Sequence, residues 1–373
     1  MLFGGTKKRT VAVLADITGS SVGVAYALVR TGEPAQILYS VRKTVATAGE
    51  GTSLIRIFRA LDEALQDLRS TGAPLVRKAT GNGSADAAYV SVGAPLQETS
   101  VRTEVISDDK PFVFTAGDFE TAVKRLAPPD GKHEASHSVV ATFLNGYEVD
   151  TPVGKRAERA EIVLLSTIMP TETGALIRRA FSSFSGHRTV NMLTFAPLVA
   201  SAVESVFPHE HDYIAIRVTG QATELCRVSR GKLTDVSRVD SGLARFADVA
   251  KKSGYQSFPD GGGIISREGG AALDADLSTA KAAWVGAIAG VLKEFAASRA
   301  LPRRLFLLAD PDAAEFLRRT LDAPEMHALW LSDEPLTVFT LGGLQLAPFV
   351  TRPTELLEDV PLELLALAAR QAA

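Results

Sequence analysis

The hydrophobic positions of this chain change period in an order that repeats. Residues 10–14 and 22–30 are apolar, strand-like runs parted by the polar turn 16–21, and 37–41 adds a third strand. Between 53 and 69, Leu54, Ile57, Phe58, Leu61, Leu65 and Leu68 fall on one stripe at helical spacing, with Thr52 as the N-cap. Gly72 and Pro74 are expected to stop that helix, and the polar tract 78–86 to form a surface loop before a strand at 89–92. The strand–turn–strand unit returns as 213–218, the turn 219–223, 224–229, the Arg230-Gly231-Lys232 hairpin turn and 233–239. After it come a helix over 243–252 that Ser241 can cap and glycine-rich connections at 260–263 and 269–270. A long helix starting at Ser278 and the wholly apolar strand 305–308, which reads as covered on both faces, complete the unit. One unit occurring twice points to two related α/β domains facing a cleft.

The stretch between them reads as a module of its own, 96–180. A half-exposed strand at 101–106 leads to Thr115-Ala-Gly-Asp118, which opens a helix carrying Phe119, Val123 and Leu126. Pro128-Pro129 and a polar loop ending near His137 precede an alternating strand from 139 that runs into Asn145-Gly146, residues tolerant of positive φ. A second strand at 162–166 and a helix from Thr171 or Thr173 through Phe181 complete a compact α+β unit. Residues 356–373 form a last apolar helix after Pro353 and Pro361.

Composition narrows the class. The 373 residues exceed one ordinary core, and 46% hydrophobic with 22% charged residues is typical of a soluble globular protein. A net charge of −3 gives no electrostatic case for nucleic acid as the main partner. The single Cys226 excludes an internal disulfide and reads as a core residue in a reducing compartment. No apolar run approaches the roughly 20 residues that span a bilayer. Asp16 interrupts the apolar stretch after Lys7, Lys8 and Arg9, which argues against a signal peptide. The expected compartment is the cytoplasm.

Leu14-Ala-Asp16-Ile17-Thr18-Gly19-Ser20-Ser21, Ser91-Val92-Gly93-Ala94-Pro95 with Phe114-Thr-Ala-Gly-Asp118, and 190–205 with Pro197-Leu198 and Ala200 occur in the order and spacing of one superfamily. Together with the module that ends in Asn145-Gly146-Tyr147, Pro152-x-Gly154-Lys155 and 162–166, the chain resembles the actin/hexokinase/heat-shock ATPases, and among them FtsA and PilM of bacterial cell division and type IV pilus assembly. The resemblance implies an α/β, two-lobed actin-like (duplicated ribonuclease-H-like) fold with an inserted small α+β subdomain. Residues 1–95, with 181–205 and 345–373 packed on them, would form the first domain and 96–180 the insertion. Residues 206–344 would form the second domain, with a small helical subdomain at about 243–300.

In this superfamily two glycine-rich turns hold the phosphates through backbone N–H groups, and a carboxylate from each orients the shell of Mg²⁺. The positions so implied are Asp16, Thr18, Gly19 and Ser20 in the first turn, Thr219, Gly220 and Gln221 in the second, and Ala309 on the adenosine side. The second turn departs from the family's Asp-Ile-Gly-Gly-Gly-Thr-Thr-Asp, since it reads Arg217-Val218-Thr219-Gly220-Gln221-Ala222-Thr223-Glu224. Thr219 and Gln221 bring Cβ atoms where backbone must meet phosphate. The expected Gly-Gly after Leu307-Leu308 is Ala309-Asp310-Pro311. An arginine ~4–5 Å from a divalent cation costs several kcal/mol at an effective dielectric of ~20, whereas it pairs well with a phosphate or with Asp16.

A pseudo-ATPase is therefore expected, with no catalytic residue, no metal site and no cofactor. ATP with Mg²⁺ remains the cofactor if the cleft is still competent. The expected role is a PilM-type cytoplasmic scaffold that binds the cytoplasmic tail of a membrane protein, at the inner face of the membrane through that partner, with self-association as a further option. The alternative is an ATP-binding, FtsA-like division or filament protein. A kinase of the same superfamily is disfavoured because no substrate-specific acidic base is found. Plain structural readings stand beside these: Asp16 as a turn former, Arg217 as a sheet residue paired with Glu224 or Asp240, His209 and His211 as a solvated loop. In the terminal helix Glu355, Glu358, Asp359 and Glu363 oppose Arg370, so it is expected to pack on protein rather than on anionic lipid.

Overall fold

Two sheets of one strand order carry the molecule, which the computed structural model describes at residues 9–46, 52–125, 128–182, 184, 190–252, 271–330 and 336–372. The first lobe begins with β1 (Arg9–Ile17), β2 (Ser21–Arg30), β3 (Ala35–Thr44), α1 (Ser53–Asp67), α2 (Ala73–Thr80) and β4 (Ala87–Val92). The chain then builds β5 (Glu98–Val113), α3 (Ala116–Lys124), β6 (Lys132–Leu144), β7 (Tyr147–Glu148), β8 (Arg156–Pro170) and α4 (Thr171–Ser182). It returns through β9 (Val190–Leu193) and α5 (Phe195–Val206). The second lobe comprises β10 (Tyr213–Val218), β11 (Thr223–Ser229), β12 (Lys232–Val239), α6 (Leu243–Lys252), α7 (Ala271–Ser298), β13 (Arg304–Leu308), α8 (Pro311–Leu321), α9 (Pro324–His327) and β14 (Thr337–Thr340). The chain closes with α10 (Gly343–Leu346), β15 (Val350–Thr351) and α11 (Val360–Gln371).

The duplication read from the sequence is present in the topology. The first sheet runs β15-β3-β2-β1-β4-β9 and the second β12-β11-β10-β13-β14. In each, three strands meander antiparallel and two more are added in parallel beside the first of them, and in the first sheet β15 is added in parallel at the opposite edge, on β3. The first strand of each copy is buried on both faces, as its near-continuous apolar run requires. In β1, Val11, Val13, Ala15 and Ile17 enter a core with α1 and α4, whereas Ala12 and Leu14 face a core shared with the second sheet. Asp16 is on this second face, one alternation beyond Leu14, so the strand carries its carboxylate to the edge of the core between the lobes.

α5 and α11 fill the space between the two sheets. Of the twelve residues of α11, Val360, Leu362, Leu364, Leu365, Ala366, Leu367 and Ala369 are buried there. Glu363, 2% exposed, sits beside them with Arg352 Nη1 donating to its Oε1 at 2.7 Å. Burial, countered by Arg352 but reinforced by Glu358 and Asp359, pushes its carboxyl up to about 7. The folded chain thus holds a proton there between about 4.5 and 7 that the unfolded chain has released, and this contribution to stability falls as pH rises through that window. Against wild type, Glu363→Gln is expected to gain up to roughly 3 kcal/mol between these limits in urea titrations. A mutant-to-wild-type gap independent of pH would show that Arg352 keeps the group ionised throughout.

The inserted sheet, β5-β8-β6-β7, has its own small core of Phe114, Leu144, Ala160, Ile162 and Leu164, covered by α3. Asn145 and Gly146 take φ of 52° and 84°, the positive values expected of that turn. β6 begins at Lys132, so the expected polar loop around His137 is strand paired with β8. α4 buries Ile177 and Phe181 in the first-lobe core, which ties it by packing to the first sheet. The helix expected to stop at Gly72 instead passes through a π-helical turn at Leu68–Gly72 into α2. A Cβ at Gly72 would lie 2.9 Å from Tyr26 and 3.0 Å from Tyr39, so this glycine permits close helix–sheet packing rather than ending the helix. The stop comes at Gly81, in the left-handed region at φ 80°. The glycine-rich 260–263 and 269–270 lie outside the described residues, as does Leu126.

Candidate functional site

The two turns that follow β1 and β10 are built alike. Thr18 N–H donates to Ser21 O at 3.0 Å and Thr219 N–H to Ala222 O at 2.9 Å. In each, the threonine Oγ1 accepts from the residue closing the turn, Ser21 N at 3.1 Å or Ala222 N at 3.2 Å. The hydroxyls stabilise the turn where the sequence lacks further glycines. Duplication sets the two turns against each other, each glycine meeting the residue that follows the other glycine. A Cβ on Gly19 would lie 2.3 Å from Gln221 Oε1, and one on Gly220 would lie 2.5 Å from Ser20 Cβ. Gly220 N–H donates to Ser20 Oγ at 3.1 Å, a bond from one lobe to the other.

Two residues before each threonine stand Asp16 and Arg217, equivalent positions that are also in contact. Arg217 Nη2 donates to Asp16 Oδ1 at 2.6 Å. Asp16 is fully buried and Arg217 is 6% exposed. A second guanidinium meets the same carboxylate: Arg42 Nη2 donates to Asp16 Oδ2 at 3.2 Å. Arg42 reaches back through Nε and Nη2 to Asp359, the N-cap of α11, at 2.8 Å each, and through Nη1 to Ser21 Oγ at 2.8 Å. Gly23 makes room for it, because a Cβ there would sit 2.6 Å from Arg42 Nη2. Burial alone would raise the Asp16 pKa, but Arg217 and Arg42 outweigh it and hold the carboxyl below its ordinary value. On the other side of Arg217, Glu224 Oε2 lies 3.9 Å from Nη1. Glu224 Oε1 accepts from Gln97 Nε2 at 3.2 Å and Ala94 N at 3.4 Å, while burial pushes its carboxyl up.

Of the residues singled out in the sequence, Asp16, Thr18, Gly19, Ser20, Thr219, Gly220 and Gln221 meet between the lobes. Ala309 does not join them, being packed on the second-lobe core. Its neighbour Asp310 lies nearer, its carboxyl pushed up by burial and within the fields of Arg42 and Asp359. Arg42 escaped the sequence reading, and Asp359 entered it only as one of the acidic residues set against Arg370, not as the partner of Arg42. Their only local signals are a glycine inside an apolar strand and an aspartate before Val360-Pro361. His209 and His211 are exposed, and among the described residues no group of three or more His, Cys, Asp or Glu stands placed to hold a metal.

A magnesium–triphosphate group needs free turn amides and an available carboxylate from each lobe. Both Asp16 oxygens already accept from guanidinium groups, the Gly220 amide is donated to Ser20, and the second carboxylate position is a cation. As the turns stand, these groups are engaged with each other across the cleft rather than free for such a group.

A duplicated sheet pair around a cleft, with an inserted α+β subdomain, defines a two-lobed actin-like fold. A chain of the PilM–PilN type IV pilus biogenesis complex aligns over 98% of both chains with a TM-score of 0.59 at 12% identity. A Bacteroides thetaiotaomicron protein of actin-like ATPase fold and unknown function aligns over 98% of both at a TM-score of 0.46 and 10% identity. The ethanolamine utilization protein EutJ from Carboxydothermus hydrogenoformans aligns over 98% of this chain and 92% of its own, at 0.42 and 11%. No family model matches the sequence, and no curated protein matches it significantly.

Proposed function

We propose that this chain is a non-catalytic actin-like scaffold of the PilM type, a pseudo-ATPase that binds the cytoplasmic tail of a membrane protein at the inner face of the membrane. The carrying observation is the buried Asp16–Arg217 pair, which joins the lobes where the fold otherwise admits a metal and phosphates. Equivalent carboxylates facing each other across the cleft need a cation between them. Here one has become that cation, so the closed arrangement stands without a ligand. Likeness to a chain of the PilM–PilN complex supports a protein partner. Among the described residues no helix is long and apolar enough to cross a membrane, so contact with one would run through that partner. α11 leaves no apolar face for lipid, since its leucines are in the core. Affinity purification of the tagged chain from detergent-solubilised membranes is expected to recover a membrane protein independently of added ATP. Recovery of soluble proteins alone, or release by ATP, would reject the reading.

A further inference from the structure

A cavity of about 300 Å³ opens where the three sheets meet, a size typical of ligand sites. Gln97 just before β5, Phe195 and Ala196 at the start of α5, Val236 and Arg238 on β12, and Glu224 on β11 line it. Most of its polar groups are engaged. Gln97 donates to Glu224 Oε1 at 3.2 Å and accepts from Thr99 Oγ1 at 2.7 Å, and Arg238 bridges Asp240 at 3.1 Å. Glu224 Oε2 differs: it is buried, accepts no hydrogen bond, and has Arg217 Nη1 only at 3.9 Å. Charge points the same way. Arg217 is shared between Asp16 at 2.6 Å and Glu224 at 3.9 Å, and Arg238 on the cavity wall, the other cation whose field reaches Glu224, is itself bridged to Asp240.

We propose that this cavity receives one basic side chain of a partner polypeptide, with Glu224 as its counter-ion. The proposal rests on the tail-binding reading above. Phe195, Ala196 and Val236 suit the alkyl stem of such a side chain, whose charged head then reaches the carboxylate. Cytoplasmic segments flanking membrane spans carry an excess of Lys and Arg, so a basic residue is what such a tail brings.

The test is a ligand-observed NMR titration of the full chain with n-butylammonium, a lysine side-chain mimic, against neutral n-butanol. Saturable binding of the ammonium alone is expected, weakened roughly tenfold or more by Glu224→Gln. Ser237→Phe at the rim keeps the carboxylate but blocks entry, and should also abolish binding, with thermal melts confirming that both variants fold. Equal binding of n-butanol, or ammonium binding that survives both substitutions, would overturn the proposal. So would spermidine binding far more tightly than a capped lysine, which would assign the site to free polyamines. Loss of the ammonium signal with membrane-protein recovery intact would reject this pocket and leave the scaffold reading standing.

Discussion

Arg217→Met is expected to lower the unfolding free energy by about 3–5 kcal/mol, the usual consequence of removing one partner from a buried ion pair. Asp16 is then left fully buried with Arg42 alone, at 3.2 Å, and Glu224 loses the nearest cation it has. Adding Asp16→Asn should recover much of the loss, since the penalty lies in the stranded charge and not in the missing contact. Denaturant titrations of the two single variants and the double variant give the coupling directly. High salt should change it little, because the pair is shielded from solvent. A loss under about 1 kcal/mol would mean that the guanidinium is solvated and the lobes are held by something else.

Ending the chain after Asp359 is expected to abolish cooperative folding. That truncation removes Val360, Leu362, Leu364, Leu365 and Leu367 from the core between the sheets. At about 1.5–3 kcal/mol for each buried aliphatic side chain, the loss rivals or exceeds the roughly 5–15 kcal/mol that holds a typical domain folded. It also exposes the inner faces of β1, β2 and β3, which invites aggregation. Soluble yield and the sharpness of thermal unfolding report the outcome. A soluble truncated chain with an unchanged melting transition would make α11 an appendage and reopen the case for a membrane-binding tail.

The sequence made the duplication legible because its signals are local. Strand, polar turn and strand at 10–30 and 213–229 need only alternation and turn chemistry, and both turns lie where that pattern put them. The positions of Asp16 and Arg217 followed from the same register, and pairing between them was among the outcomes anticipated. Asp359 could not be read in this way: it lies 317 residues from Arg42, and only the docking of α11 on the first sheet brings them together. Gly72 misled for a related reason. A glycine that ends a helix and one that lets a helix approach two tyrosines look alike until the sheet beneath is known. Ala309 directly follows the last residue of β13, and it is its neighbour Asp310 whose carboxyl lies within the fields of Arg42 and Asp359.

Calorimetric titration of the wild-type chain with ATP in the presence of Mg²⁺ tests the central claim most directly. With both Asp16 oxygens and the Gly220 amide engaged across the cleft, no saturable heat is expected and no phosphate should be released on prolonged incubation. Sub-micromolar binding accompanied by turnover would contradict the account, because the Asp16–Arg217 bridge would then have to open for a nucleotide.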